Sequence, residues 1–493
     1  MEFKVKDMDI STGKILVAIL NHKDAKTLDL HSGDRILIHD HKKEGVTCIL
    51  DISESNKAVR EGSIGLFEEV LDKLGVKHND KVKVTFTGKP QSVTYIREKL
   101  FKKELSYEKI YSIMYDITHD RLTDIEKTYF VAAGFENGWT IKEIVHMTKA
   151  MVETGQKLKF SKVTLDKHCI GGIPGNRTTM IVIPIIAAAG CTIPKTSSRA
   201  ITSPAGTADT MECLAKVELS EKKIKEVVRK AGGCIVHGGS MNLAPADDKI
   251  IDVEHPLSID ATGQLIASVM AKKYSVTANH VLIDIPLGKT AKVTSKKEAK
   301  ELKKLFKIVG RKLGMNVKVV LTNGDQPIGN GIGPLLEAQD VMAVLRNDPL
   351  APQDLREKAI DMSATLLNQS GKYSLRKAKK VVLEIINSGR ALKKMNQIIK
   401  IQGKVKKPKL GSYRHLVKSS KSGKVNQINN EHISKISHLA GAPDDKGSGM
   451  FLNKKLHHVV KKNELLYTIY AMSKPKLDLA VKFAKKHNAY TIK

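Results

Sequence analysis

Residues 166–212, DKHCIGGIPGNRTTMIVIPIIAAAGCTIPKTSSRAITSPAGTADTME, restrict the fold more than any other part of the chain. Two segments rich in Gly, Ser and Thr stand on either side of an apolar run from Met180 to Ala189. The first joins Lys167 and His168 to Gly171, Gly172 and Gly175, then enters the run through Asn176, Thr178 and Thr179. Backbone amides and a helix start converge there, and such a start carries unsatisfied N–H donors and a partial positive charge that suit an anion. The second segment, Ser197 to Thr207, brings five hydroxyls, Arg199 and one glycine before Asp209 and Glu212 open a further helix. One Gly-rich turn is a weak signal. Two of them flanking a single element predict a site for more than one anionic group.

At 493 residues the chain exceeds a single core and predicts three or four domains. Its 41% hydrophobic content supports globular packing, and 4% aromatic leaves little for base-stacking platforms. Lys and Arg total 83 against 52 Asp and Glu, a formal charge of +31, which raises nucleic-acid binding as a reading. The lysines run along the whole chain, with concentrations near 296–312 and 375–409 and no zinc-finger or RNP-like motif beside them. A solvated surface suited to small anions is therefore expected rather than a nucleic-acid partner. Cys48, Cys169, Cys191, Cys213 and Cys234 form no CxxC pair and have no paired His spacing, so reduced thiols are expected, with no disulfide framework and no structural metal. The longest apolar run, Met180 to Ile193, contains Pro184 and falls short of the roughly 20 residues of a membrane span. The stretch MEFKVKDMDI has no apolar h-region. The expectation is a cytoplasmic protein without a membrane partner.

In chain order, 1–86 reads as short strands (KILVAIL, DRILIHD, VTCILDIS, KVKVTF) with one helix at LFEEVLDKL. Leu28 to Ile38 echoes Leu74 to Val84, each a turn followed by a strand, which suggests a small duplicated barrel of the double-psi kind. From Ile96 to Lys157 the period is helical, with capping boxes at Thr123/Glu126 and Thr140/Glu143. Residues 160–240 and 280–345 mix strand-like runs (MIVIPIIAAA, HVLIDIPL, VKVVLT) with lysine-rich helices, the pattern of an α/β layer, and 243–275 returns to helix. Residues 374–403 read as one basic helix or a helical pair. The expected organisation is multidomain α/β and α+β: an N-terminal β-rich domain (1–86), a helical domain (87–158 plus 243–277), an α/β phosphate-binding domain (159–242 plus 278–402) and a C-terminal α+β module (403–493).

Ser197-Ser-Arg-Ala-Ile-Thr-Ser-Pro-Ala-Gly-Thr207-Ala-Asp209-Thr-Met-Glu212 closely resembles the signature of the thymidine and pyrimidine nucleoside phosphorylase family, departing from it at Pro204. Lys167-His168 with Gly171-Gly172 resembles that family's phosphate loop, and AGAPDDKGSG near the C-terminus resembles its counterpart there. Three departures separate the chain from the nucleoside members. Val253 stands where they carry a base-holding Arg, Cys169 replaces the loop serine, and Lys292 replaces an aromatic. With the extra N-terminal domain, CIGGIPGN and SRAITSPAGTAD, the chain resembles the archaeal-type nucleotide branch, the AMP phosphorylases. That resemblance implies a pentosyltransferase converting AMP and phosphate to adenine and ribose 1,5-bisphosphate, with CMP and UMP as further candidates. No cofactor is implied, because inorganic phosphate is a co-substrate.

The resemblance implies Lys167, Thr178, Ser197 and Thr207 as phosphate ligands, Lys167 giving a point charge and the hydroxyls oriented donors. It implies Asp260 as the proton donor to the leaving base, for which its pKa must be raised, and His168 is a second candidate because an imidazole can donate near neutral pH. For AMP it implies Gly172, Ser198, Arg199, Ala200, Ile201, Thr202, Ser203, Thr207, Ser268 and Lys292. Arg199 is a candidate for the 5′-phosphate, with an ion pair to Glu212 as the alternative. Ser268 and Lys272 are four apart and share a helix face, which makes Lys272 a further candidate. Residues from the helical and α/β domains would then meet across a cleft in a homodimer or larger oligomer. Two other readings stay open: a thymidine phosphorylase acting on nucleosides, and a nucleic-acid-binding or structural protein with a decayed site.

Overall fold

The computed structural model describes residues 1–13, 15–40, 45–160, 163–200, 203–257 and 261–493. Two compact units divide the chain, Met1–Ala133 and Gly134–Lys493.

The first unit contains β1 (Glu2–Asp7), β2 (Val17–Asn21), α1 (His22–Thr27), β3 (Arg35–His39), β4 (Val46–Ser53), β5 (Ser63–Leu66), α2 (Glu68–Leu74), β6 (Lys81–Phe86), α3 (Ser92–Leu100), α4 (Tyr107–Thr118) and most of α5 (Asp124–Asn137). The six strands close a barrel in the order β1-β5-β2-β4-β3-β6. Exchanging β1, β2 and β3 for β4, β5 and β6 reproduces the same ring, with β1/β5 and β4/β2 as the parallel pairs. The sequence echo follows this symmetry. The His31 amide donates to Asp34 Oδ2 at 2.7 Å and the Lys77 amide to Asp80 Oδ2 at 2.7 Å. Gly33 and Asn79 both take positive φ, and the strands that leave the two turns, β3 and β6, pair antiparallel. β1, β5 and the short α1 are additions to the sequence reading. Phe3, Leu20, Ile36, Leu50, Ile64 and Val82 fill the interior, because alternate residues of a closed barrel all face inward.

The second unit begins with α6 (Ile141–Glu153), opened by the expected capping box: Thr140 N–H donates to Glu143 Oε2 at 2.9 Å and Glu143 N–H to Thr140 Oγ1 at 3.2 Å. Then come β7 (Leu165–Cys169), α7 (Thr178–Ala188), β8 (Ile193–Ser197), α8 (Thr207–Glu212), α9 (Glu221–Ala231), β9 (Gly233–His237), α10 (Pro245–Leu257), α11 (Thr262–Tyr274), β10 (His280–Leu287), α12 (Lys296–Lys312) and β11 (Asn316–Asn323). β11, β10 and β7 form a parallel sheet, β8 and β9 a second parallel pair, and a bridge between Thr164 and Thr192 joins the two. α10 and α11 pack on α6, so the segment after residue 243 returns to the helices that precede the sheet.

MIVIPIIAAA, strand-like in its apolar run but entered through a helix start, is the helix α7. Every residue from Thr178 to Ala187 is buried, so the run has no polar face and no 3.6-residue period to mark it as a helix. The remainder comprises β12 (Gly331–Ile332), α13 (Pro334–Leu345), α14 (Gln353–Gln369), α15 (Leu375–Asn387) and α16 (Arg390–Gln402). The last two are the basic pair, broken where Gly389 takes φ +73°. α7 packs against α14 and α16 in an extensive apolar core. The closing module holds β13 (Tyr413–Lys418), β14 (Gly423–Ile428), α17 (Asn430–Leu439), β15 (Gly449–Leu452), β16 (Val459–Val460), β17 (Leu465–Ala471), α18 (Lys474–Lys486) and β18 (Tyr490–Ile492). β12 joins its sheet through β15. Among the described residues no helix is long and apolar enough to cross a membrane.

Candidate active site

Strand β7 carries Asp166, Lys167, His168 and Cys169 in succession, and strand alternation sends Asp166 and His168 to one face and Lys167 and Cys169 to the other. On the Lys167 face, its ammonium lies 3.5 Å from Asp284 Oδ2 of β10, and Lys358 of α14 reaches the same oxygen at 2.9 Å. Thr322 of β11 donates to Asp284 Oδ1 at 2.7 Å. On the other face, Asp166 meets Lys273 of α11 at 2.7 Å and Lys195 of β8 at 3.7 Å. Two buried carboxylates thus face four lysines, an excess of cationic charge that an anion would neutralise.

The pKa directions follow from this crowding. Burial pulls the Lys167 amine down, with Asp284 opposing, and Lys195 falls well below its usual range through burial and the adjacent Lys273, against Asp166. Burial and then Lys273, Lys195, Lys272 and Lys167 hold the His168 imidazole well below its usual value. Burial and these lysine neighbours therefore disfavour a second proton on His168.

Gly171 and Gly172 follow with φ +93° and +85°, a left-handed pair that only glycine adopts without strain. A Cβ on Gly172 would run into the backbone of Lys292, which brings these two expected residues together. The Cys169 thiol accepts from Asn176 Nδ2 at 3.2 Å, and the wholly buried Thr178 hydroxyl donates to Asn176 Oδ1 at 2.7 Å. Arg177 ties this loop to the second one. It pairs with the buried Glu337 of α13, donates to the Ala205 carbonyl and reaches Thr207 Oγ1 at 3.2 Å.

In the second loop, Ser197 ends β8, its hydroxyl 3.2 Å from the Ser198 carbonyl, and the Ser203 hydroxyl donates to the Ala205 carbonyl at 2.9 Å. Asp209 Oδ2 accepts from the amides of Ala200 (2.7 Å) and Gly206 (2.9 Å) and so fixes the loop's curvature. Arg199 lies among carboxylates. Its guanidinium grips Glu212 through two bonds of 2.9 and 3.0 Å and also meets Asp209 and Glu218, while Lys446 of the AGAPDDKGSG segment backs Glu212 at 2.8 Å. The ion-pair alternative for Arg199 is the one found. Ile201, Thr202 and Asp260 lie outside the described residues.

A narrow cleft of about 20 Å³ is lined by Ser197 and Ser198, by Gly238 and Gly239 beyond β9, by Asp247 and Asp248 of α10, and by Lys272. Lys272 pairs with Asp247 and donates to Ser268 Oγ at 3.1 Å, so the two share a face as expected. Burial lowers the Lys272 amine, but Asp247 and Asp248 more than offset this and hold it above its usual value. Val253 is buried on α10 and presents no charge.

Sequence reasoning missed Arg177, Asp166, Lys195, Lys273, Asp284 and Lys358. Asp284 carried a usable signal, since a lone carboxylate inside the apolar strand HVLIDIPL must find a partner. Lys195 carried another, two residues before Ser197 on the same strand face.

A parallel layer with two anion-suited loops at its strand ends, backed by helices from an earlier segment, defines a glycosyl-transfer fold. Residues 93–155 match the helical bundle domain of the glycosyl transferase family, 161–392 its a/b domain, and 424–492 the pyrimidine nucleoside phosphorylase C-terminal domain. The chain belongs to the thymidine and pyrimidine nucleoside phosphorylase family. It is 41% identical to the AMP phosphorylase of Methanococcus aeolicus over 100% of this chain and 97% of that one. It is 44% identical to a putative thymidine phosphorylase of Legionella pneumophila over 86% of this chain and 83% of that one. Anthranilate phosphoribosyltransferase from Thermus thermophilus shares the fold, with a TM-score of 0.53 at 17% identity over 62% of this chain and 98% of that one.

Proposed function

We propose that the protein phosphorolyses nucleoside 5′-monophosphates, converting AMP and phosphate to adenine and ribose 1,5-bisphosphate. The observation that carries this reading is the pair of adjoining loops over a buried lysine excess, in a chain similar along its whole length to an AMP phosphorylase. On this reading Lys167, Thr178, Ser197 and Thr207 hold phosphate against C1′. The C1′–N9 bond breaks toward an oxocarbenium-like state, phosphate oxygen bonds to C1′, and Asp260 protonates the departing base. Neutral His168 contributes one N–H and one acceptor. Gly172, Ser198 to Ser203, Thr207, Ser268, Lys272 and Lys292 line the nucleotide's path, with Arg199 shaping the loop through its carboxylates.

On this reading α10 and α11 close over the bound substrate and exclude the water that would hydrolyse the sugar. We also read the duplicated barrel as double-psi-like, the four-domain division as given above, and the working protein as a cytoplasmic homodimer or larger oligomer without a cofactor.

The test is phosphate-dependent base release from AMP, CMP, UMP and thymidine. Release from AMP and not thymidine supports the reading. Release from thymidine alone rejects it in favour of the nucleoside reading, which the Legionella pneumophila relative's name keeps in play. Asp260→Asn is expected to cut turnover by orders of magnitude with AMP binding intact; unchanged turnover removes Asp260 from the mechanism.

A further inference from the structure

Helix α11 carries Gln264, Ser268 and Lys272 at intervals of four, which places them along one stripe of its surface. The lower end of that stripe is already accounted for: Lys272 lines the cleft and binds Ser268. The opposite face is apolar, with Ile266 and Met270 buried. Gln264 is 2% exposed, yet among the described residues neither its Nε2 nor its Oε1 has a hydrogen-bond partner. A buried carboxamide with both ends unpaired is costly, and a residue needed only to fill space there would be apolar.

We propose that Gln264 is a specificity-determining residue that pairs its carboxamide with the donor–acceptor edge of the nucleobase; this rests on the nucleotide reading above. For adenine, Oε1 accepts from the exocyclic N6–H and Nε2 donates to N7, the geometry by which glutamine pairs with adenine in nucleic-acid recognition. As the C1′–N9 bond breaks, its electron pair passes into the imidazole ring that contains N7, so donation from Nε2 strengthens toward the transition state. Ser268, one turn along, would then lie on the sugar side of the base and Lys272 beyond it.

The experiment uses the full chain as wild type, Gln264→Met, which keeps the volume, and Gln264→Glu, which keeps an acceptor for N6 and removes the donor to N7. Binding of AMP and of 7-deaza-AMP is measured by calorimetry, alongside phosphate-dependent adenine release and thermal unfolding. Wild type is expected to bind AMP about 10-fold or more tighter than 7-deaza-AMP, with that ratio collapsing toward one in both variants. Turnover of AMP per unit KM should fall about 10- to 100-fold with the KM for phosphate unchanged, and Gln264→Met should unfold no earlier than wild type. An unchanged AMP to 7-deaza-AMP ratio in folded Gln264→Met, or in Gln264→Glu should the former not fold, overturns the proposal while leaving the nucleotide reading standing. Base release by wild type from thymidine alone overturns both.

Discussion

Replacing Asp284 by Asn isolates one charge in the centre of the site. The carboxylate is fully buried, 3.5 Å from Lys167, 2.9 Å from Lys358 and 2.7 Å from the Thr322 hydroxyl. Asparagine keeps the shape and an acceptor for Thr322, and removes only the charge that balances two buried ammonium groups. At 3.5 Å and an effective dielectric near 20, the Lys167 pair alone is of order 5 kcal/mol. Desolvation offsets part of this, and losing one partner of a buried pair costs about 3–5 kcal/mol net. Urea unfolding followed by circular dichroism at pH 7 should therefore show a loss of about 3 kcal/mol. The pH dependence gives a second reading. Burial raises the Asp284 carboxyl, but Lys167, Lys358 and Thr322 more than offset that and hold it at about 2, below the ordinary 3.8. A depressed carboxyl contributes stability that is complete above its unfolded value and lost as pH falls toward 2, so the gap between wild type and Asp284→Asn should close between about pH 4 and pH 2. With its counter-charge gone, Lys167 loses its proton more readily, and the KM for phosphate should rise. Equal stabilities at pH 7 and a gap that does not change with acid would refute the reasoning.

Arg177→Met strands the buried Glu337 carboxylate and unties the two loops, so calorimetric unfolding should show a loss of about 3–5 kcal/mol; a wild-type unfolding temperature would mean that the clamp is dispensable. Gly172→Ala meets both an αL penalty of about 1–2 kcal/mol and the Lys292 backbone, so base release should drop at least about 10-fold with the circular dichroism unchanged; wild-type rates would refute the close approach. Arg199→Gln should alter the KM for AMP by less than about threefold, under about 1 kcal/mol, while lowering the unfolding temperature, because its guanidinium is held by Glu212, Asp209 and Glu218. A large KM effect without destabilisation would restore Arg199 as a phosphate ligand.

The local chemistry of this chain was legible without coordinates. The Thr140/Glu143 capping box, the paired turns before β3 and β6, the glycines at Gly171 and Gly172, and the shared face of Ser268 and Lys272 are each set by neighbours a few residues apart. What needed the fold was everything set by contact across the sheet. The run that forms α7 left strand and helix both open because burial on all sides erases the period that betrays a helix. Nothing in the local sequence of His168 announces that Lys195, Lys272 and Lys273 will stand around it and disfavour its charged form. Arg199 looked available for phosphate until Glu218, from beyond the loop, joined Glu212 and Asp209 in holding it. The sequence by itself determined the two glycine- and hydroxyl-rich turns whose amides and hydroxyls suit anions. Tertiary structure alone decided which cations remain uncompensated there, because a buried charge is defined by what packs against it, and those partners come from strands and helices distant in the chain.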